Sequence, residues 1–337
     1  ANWQHFAEMG WLGVSLPEEH GGLGGGAMET MVIGERFGAA MVAEPYFSSV
    51  VLGGGLVAAA GSKVQQAEIL PKLGEGKAKL SFAFAEHGAR FALNDVSTKA
   101  VKDGSGYALS GKKIVVWDAP SADLLIVLAR SAGGRTDAKG LGLFLVDNKA
   151  KGVNRQDYRT VDNRRAADIV FDKAPAIALG DAEGALPLVE GVVDQALAYL
   201  AAEAVGAMQV LYETTLAYIK TRKQFGRAIG DFQVLQHRMV DMMIHVEQSR
   251  SLALYASLAL SRAPLERAKA AAAAKVQVGK SGRWVGQQSV QLHGGMGMTD
   301  ELTVGHYMKR LMQIDTAFGH ADYHQRRFAA LSNAEAA

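Results

Sequence analysis

Cysteine is absent from all 337 residues. That excludes disulfides and thiolate metal sites, and it suits a reducing, cytoplasmic setting. Long apolar runs are missing too. The nearest approaches, residues 50–60 and 270–274, fall short of the roughly 18–20 apolar residues a membrane span needs. Gly53, Gly54 and Gly55 also interrupt the first of them, so no membrane span is expected. Charge of one sign is not concentrated either: the formal net charge is +2 and the basic residues are dispersed. A nucleic-acid partner would need a collected basic face, so none is expected. No Gly-x-Ser-x-Gly elbow occurs, which together with the missing thiol leaves nucleophilic catalysis without support. The glycine-rich stretch at 21–26 lacks the Gly-Lys-[Ser/Thr] of a P-loop. The first residues show no basic start leading into an apolar core, so no signal peptide is expected. Phe6, Met9 and Leu12 already stand at helical spacing, and the expectation is a helical region cut short at its start.

What is present is ordinary for a globular protein, with 49% apolar and 21% charged residues. The length allows one large domain or two to three small ones. Texture divides the chain into three. Residues 1–77 read as helical and punctuated, with a loop at 18–24 and helix boundaries at Gly61 and Pro71. Residues 78–180 carry short β-rich runs at 80–84, 107–110, 114–117, 124–129, 141–146 and 169–171, separated by turn clusters such as 102–106. Residues 181–337 return to long helices, expected over 186–221, 232–262 and 265–293, with a fourth at the C-terminus. Long helices on short loops favour an antiparallel bundle. The fold class is therefore α+β, mainly α: an N-terminal helical domain, a central β-barrel-like domain and a C-terminal four-helix bundle.

Four strings then stand out in order. They are Pro17-Glu18-Glu19-His20-Gly21-Gly22-Leu23-Gly24, Leu70-Pro71-Lys72-Leu73-Gly74-Glu75-Gly76, Thr221-Arg222-Lys223-Gln224-Phe225-Gly226-Arg227 and Gln291-Leu292-His293-Gly294-Gly295-Met296-Gly297. With the three-part layout, they resemble the acyl-CoA dehydrogenase family over essentially the whole chain. The resemblance implies an FAD cofactor, an acyl-CoA substrate, α,β-dehydrogenation and electron-transferring flavoprotein as electron acceptor. It assigns Arg222 and Gln224 to the FAD diphosphate, lays Phe225 against the cofactor, and maps the Gln-x-x-Gly-Gly motif to Gln291, Gly294 and Gly295. Glycine there lets main chain approach a ligand that a Cβ would hold off. A following helix N-terminus would offer N–H groups to an anion. Taken singly, Arg222 could be a cation favoured at a helix C-terminus and the glycines an ordinary turn. Taken together, the strings favour FAD contact.

The family's proton acceptor is a Glu that removes the α-proton of the thioester, a very weak acid. In most members it precedes a Gly near the C-terminus. Gly319 fits that glycine and puts Phe318 in the Glu position. Other members carry the Glu on the first long bundle helix, where the matching position here is Ala196, next to Leu197. Neither is a base, so no catalytic residue is assigned. Glu203, about two turns further on, reads as a buried helix–helix hydrogen-bonding group ahead of a relocated base. The family's flavin-facing Thr-Glu-Pro-x-x-Gly-Ser-Asp loop is replaced by residues 85–92, and its Trp-x-Thr segment aligns with Val115-Val116-Trp117.

The retained strings are those that reach a neighbouring subunit's FAD. The resemblance thus implies a non-catalytic partner in a heteromeric enzyme, a dimer or tetramer completed by a catalytic acyl-CoA dehydrogenase subunit. The string 316–328 is similar to small subunits of this kind, that of pimeloyl-CoA dehydrogenase among them. Fatty acid metabolism is the implied setting. A non-redox acyl-CoA-binding or scaffold protein of the same fold is the alternative. His237, Asp241 and His245 share one helical stripe, but no Glu-x-x-His pair joins them as a carboxylate-bridged metal site requires. A solvated or inter-subunit stripe is expected there, and no metal.

Overall fold

The computed structural model describes residues 2–336. They fall into two compact units, one comprising the chain up to Gly26 with Ala43–Ala196, the other Ala27–Val42 with the chain from Leu197 onward.

The first unit begins with α1 (Asn2–Glu8), and α2 (Ala27–Ala39) belongs to the other unit. A buried π-helical segment, Phe47–Gly54, runs into α3 (Gly55–Ala60), and α4 (Lys63–Gly74) follows. Gly53 is set by close approach, since a Cβ there would stand 2.4 Å from Leu80 Cβ. The start of α4 is fixed by a capping box in which Ser62 and Gln65 each bond the other's backbone. Pro71 does not mark a helix boundary as expected; it lies inside α4. It sits in the last turn, where only three helical residues follow the break it makes in the hydrogen-bond ladder.

The sheet comprises β1 (Leu80–Ala83), β2 (Lys99–Asp103), β3 (Gly106–Trp117), β4 (Leu124–Arg130), β5 (Leu141–Asp147), β6 (Val153–Arg159) and β7 (Arg165–Ala178). Its order is β1-β4-β2-β3-β7-β5, and a further β4–β5 pairing closes a ring, with β6 appended to β7. Closure gives β4, β2, β3, β7 and β5 partners on both sides, while β1 and β6 each pair with one strand. Leu109, Leu125, Val127, Phe144, Ile169 and Phe171 fill the interior. The runs at 107–110 and 114–117 are one strand, with register shifts between Leu109 and Gly111 and between Lys113 and Val116. β2 and β6 were not expected. Their residues are mostly exposed, so no apolar alternation betrays them; they are strands because β3 and β7 pair with them.

The second unit is built on α5 (Leu186–Thr221), whose first turns lie in the first unit, followed by the two-residue strands β8 (Lys223–Gln224) and β9 (Arg227–Ala228). Then come α6 (Gln233–Ala259), α7 (Pro264–His293), α8 (Val304–Thr316) and α9 (Ala321–Ala336). The single C-terminal helix that was expected is two helices, split where Phe318 and Gly319 take φ of +54° and +117°. Small residues bring α2 against α5: a Cβ on Gly38 would lie 1.9 Å from Glu203 O, and one on Gly206 1.9 Å from Glu35 O. The order of helical, β and helical segments is the one the sequence implied. Among the described residues no helix is long and apolar enough to cross a membrane.

Candidate functional site

At the end of α5 the chain turns through a hairpin. Arg222 N bonds Tyr218 O at 2.8 Å, and Ile229 N bonds Arg222 O at 2.9 Å. Gln224 pairs with Arg227 across the turn formed by Phe225 and Gly226, at φ of +54° and +81°. A two-residue hairpin turn of type I′ needs both centres left-handed. Gly adopts that freely, whereas a bulky side chain is strained by about 1–2 kcal/mol. Phe225 is also 90% exposed, so burial contributes little to offset that strain. Arg222, Lys223, Gln224 and Arg227 are exposed alongside it.

The glycine motif caps α7. The rings of Tyr218 and His293 lie 4.3 Å apart, which ties the root of the hairpin to this helix end. His293 Nδ1 donates to Ser289 O at 2.8 Å. The three glycines differ in kind. A Cβ on Gly297 would fall 2.5 Å from Val290 O, so packing within the chain demands it. A Cβ on Gly295 would meet nothing within 4 Å, and Gly294 needs glycine only for its φ of +61°. Gly294, Gly295 and Gln291 all face outward. The structure thus brings both strings to neighbouring helix ends and leaves them open. An exposed aromatic, cations and a bare glycine pair fit the phosphate and adenine end of a flavin nucleotide.

Position 318 is different. Phe318 is buried on a turn fastened from below. Lys275, fully buried in the alanine-rich stretch of α7, donates to Asp315 O at 2.6 Å and Gly319 O at 2.8 Å. Burial, only partly opposed by Asp315, lowers its pKa to about 7. The Asp315 carboxylate accepts from Arg283 at 2.6 Å and from Ala321 N at 3.1 Å. His324 Nε2 donates to Phe318 O at 3.1 Å, and its buried Nδ1 has no partner. Burial first, then the charges of Lys275 and Arg327, pushes its pKa from 6.5 to about 3. Between those values the unfolded chain holds a proton that the folded chain does not, so stability falls as pH falls through this window. His324→Gln keeps a donor for Phe318 O and is expected to flatten that fall, by up to about 1.4 kcal/mol per pH unit. Urea midpoints between pH 6.5 and 4 check it; superimposable profiles reject it.

Ala196 and Leu197, which stand where the resemblance implies the alternative base, are completely buried. Glu203 meets Arg310 in a two-pronged pair, Oε1 to Nε at 2.7 Å and Oε2 to Nη2 at 2.9 Å, with both side chains buried. A carboxylate engaged in this way is a structural anchor.

In the first unit, Glu86 of the altered 85–92 segment accepts from Lys113 Nζ at 2.8 Å and from Ser97 N at 2.8 Å and Thr98 N at 2.9 Å. Burial works to raise its pKa, but the Lys113 charge and these bonds hold it well below the carboxylate range. Burial likewise pulls Lys113 down. The Trp117 ring packs 5.8 Å from Phe47 and 5.9 Å from Phe84. These groups are committed to each other. Sequence reasoning missed Lys113, Lys275, Arg310 and His324; the available signal was a charge set among apolar neighbours, such as Lys275 after five consecutive alanines. His237 and Asp241 are exposed, while His245 Nδ1 lies 2.9 Å from Ser281 Oγ. Among the described residues no three side chains are grouped to hold a metal ion.

The chain matches three family models in order: the acyl-CoA dehydrogenase N-terminal domain over residues 1–77, the middle domain over 81–174 and the C-terminal domain over 188–331. Similar proteins include the mitochondrial long-chain specific acyl-CoA dehydrogenase of Sus scrofa, 30% identical over 88% of this chain and 70% of that protein. Among solved structures, a variant of the Tcur3481-Tcur3483 steroid ACAD is 32% identical, with a TM-score of 0.89 over 99% of this chain and 88% of that one. The ChsE4-ChsE5 complex from Mycobacterium tuberculosis is 26% identical, with a TM-score of 0.88 over 97% and 86% of the two chains. The fold and the motif strings define an α,β-dehydrogenase scaffold of the flavoprotein kind. The chain belongs to the acyl-CoA dehydrogenase family, oxidoreductases acting on CH–CH bonds.

Proposed function

We propose that this chain serves FAD-dependent α,β-dehydrogenation of an acyl-CoA thioester as the subunit without a catalytic base, completing an FAD site whose flavin-facing half belongs to a catalytic subunit of the same family. The observation that carries this reading is a contrast. Phe318 occupies the base position as buried core, while Phe225, Arg222 and the Gly294–Gly295 pair lie exposed, and a Cβ on either glycine would meet nothing within 4 Å. When bound, FAD supplies the acceptor for the substrate's β-hydride. Arg222 would bind the diphosphate with Gln224, Phe225 would lie against the cofactor, and Gln291, Gly294 and Gly295 would admit it closely. The α-proton would pass to a carboxylate of the catalytic subunit, and the electrons onward to electron-transferring flavoprotein. A cytoplasmic heterotetramer is the assembly that suits these assignments.

Flavin stoichiometry tests the reading. Co-expression with a catalytic-type subunit is expected to give about one flavin per two chains, since each site needs both. A homo-oligomer of this chain with one FAD per chain and full dehydrogenase turnover would refute it, and a complex with no flavin absorbance would favour a non-redox scaffold. Arg222→Ala is expected to cut FAD retention in the complex about tenfold, because a charge-assisted contact to phosphate contributes about 1.5–3 kcal/mol. Unchanged flavin content would remove Arg222 from the site.

A further inference from the structure

The hairpin carries a second guanidinium to which the motif resemblance gives no role. Arg227 stands on β9 opposite Gln224. Its guanidinium carbon lies 4.0 Å from the centroid of the Phe232 ring. That ring in turn meets Phe225 edge to face, with centroids 6.1 Å apart at 86°. Phe232 stands at the N-cap position of α6, so Arg227 rests on a ring carried at the start of that helix.

Stacking on an aromatic face uses only the face of a guanidinium and leaves its N–H donors at the edge. Among the described residues, none of Arg227's side-chain donors meets an acceptor, and no carboxylate pairs with Arg222, Lys223 or Arg227. Asp231 is the one acid between residues 220 and 240. The stacking contributes about 0.5–1 kcal/mol to an exposed hairpin, yet three unneutralised cations within six residues still repel one another. The arrangement suits a dianionic ligand beside a planar apolar one.

We infer that Arg227 is a second cation for the diphosphate of a flavin nucleotide, held in position by its stacking on Phe232, so that diphosphate recognition rests on two guanidiniums from the two arms of the hairpin. This rests on the reading proposed above and extends it to a residue outside the motif. Phe225 and Phe232 then offer the apolar surface beside the phosphates, and Arg227 sets where the phosphates must lie relative to it.

The test is calorimetric titration of the flavin-stripped complex with a catalytic-type subunit, using ADP and, separately, adenosine. The unsubstituted protein is expected to bind ADP the more tightly. Arg227→Ala should weaken ADP binding about tenfold and leave adenosine binding unchanged. Arg227→Gln, which keeps a planar group over Phe232 without the charge, should match the alanine variant. Arg227→Lys, which keeps the charge but not the stacked fork, should fall between. Equal weakening of ADP and adenosine would mean Arg227 only supports the hairpin, and would overturn the inference. So would an Arg222→Ala variant that loses ADP affinity while Arg227→Ala does not. If the unsubstituted protein binds neither ADP nor FAD, alone or co-expressed with a catalytic subunit, the underlying flavin reading fails first.

Discussion

Glu203→Ala is expected to destabilise the protein by about 3–5 kcal/mol, because it leaves a buried guanidinium without its counter-charge. Arg310 is 7% exposed and Glu203 2% exposed along their side chains, and the two meet through parallel hydrogen bonds. Removing both charges together is a different matter. Glu203→Leu combined with Arg310→Met replaces the pair by apolar groups of similar size, and such exchanges are often neutral. The double variant should therefore lie within about 1–2 kcal/mol of the unsubstituted protein, far from the sum of the single changes. Denaturant midpoints of the helical unit read this directly. The same series bears on catalysis. A relocated base would lose turnover without losing stability when Glu203 becomes Gln, whereas an anchor loses stability. Should Glu203→Ala keep its midpoint while the flavin-loaded complex loses activity, the anchor assignment is wrong.

Lys275→Met should cost about 2–4 kcal/mol near neutral pH. It leaves the carbonyls of Asp315 and Gly319 buried without their donor, at about 1–3 kcal/mol each, and the relief of a buried ammonium offsets part of this. The pH dependence has a definite sign. With a folded pKa of about 7 against 10.5 unfolded, the unfolded lysine binds the extra proton between those values, so the unsubstituted protein gains stability as pH rises through them. The variant has no such group, and the gap between the two should widen from pH 7 to pH 9.5. Thermal or urea midpoints at both pH values decide it. A gap that narrows, or a variant as stable as the parent, would show that Lys275 does not hold the turn. The consequence for function is local. Phe318 keeps its left-handed backbone only while the carbonyls around it are held, by Lys275 from α7 and His324 from α9.

Much of the fold could be read from the chain. The long helices follow the apolar period within a few residues of their ends, and five of the seven barrel strands announce themselves by β-branched and aromatic runs. β2 and β6 could not be read, because strands with little buried surface carry no alternation and exist through their neighbours. Pro71 misled because a proline near a helix end can be absorbed in the last turn. The site divided similarly. The hairpin and glycine strings are contiguous, so their residues were nameable in advance. The charges that brace position 318 and Glu203 were not, because each finds its partner far along the chain: Glu203 and Arg310 are 107 residues apart.

The sequence by itself determined the order of helical and β segments, the cofactor-type strings, and a phenylalanine at position 318, where the family resemblance implies a carboxylate. These are local properties: periodicity, turn chemistry, and the presence or absence of a side chain. Only the tertiary structure decided that Glu203 is neutralised, that Lys275 sits beneath the turn, that Gly297 serves packing while Gly295 does not, and that Arg227 is stacked with its donors open. The physical reason is that a buried charge or a bare glycine acquires meaning from what lies within a few ångströms of it, and those neighbours are brought there by folding.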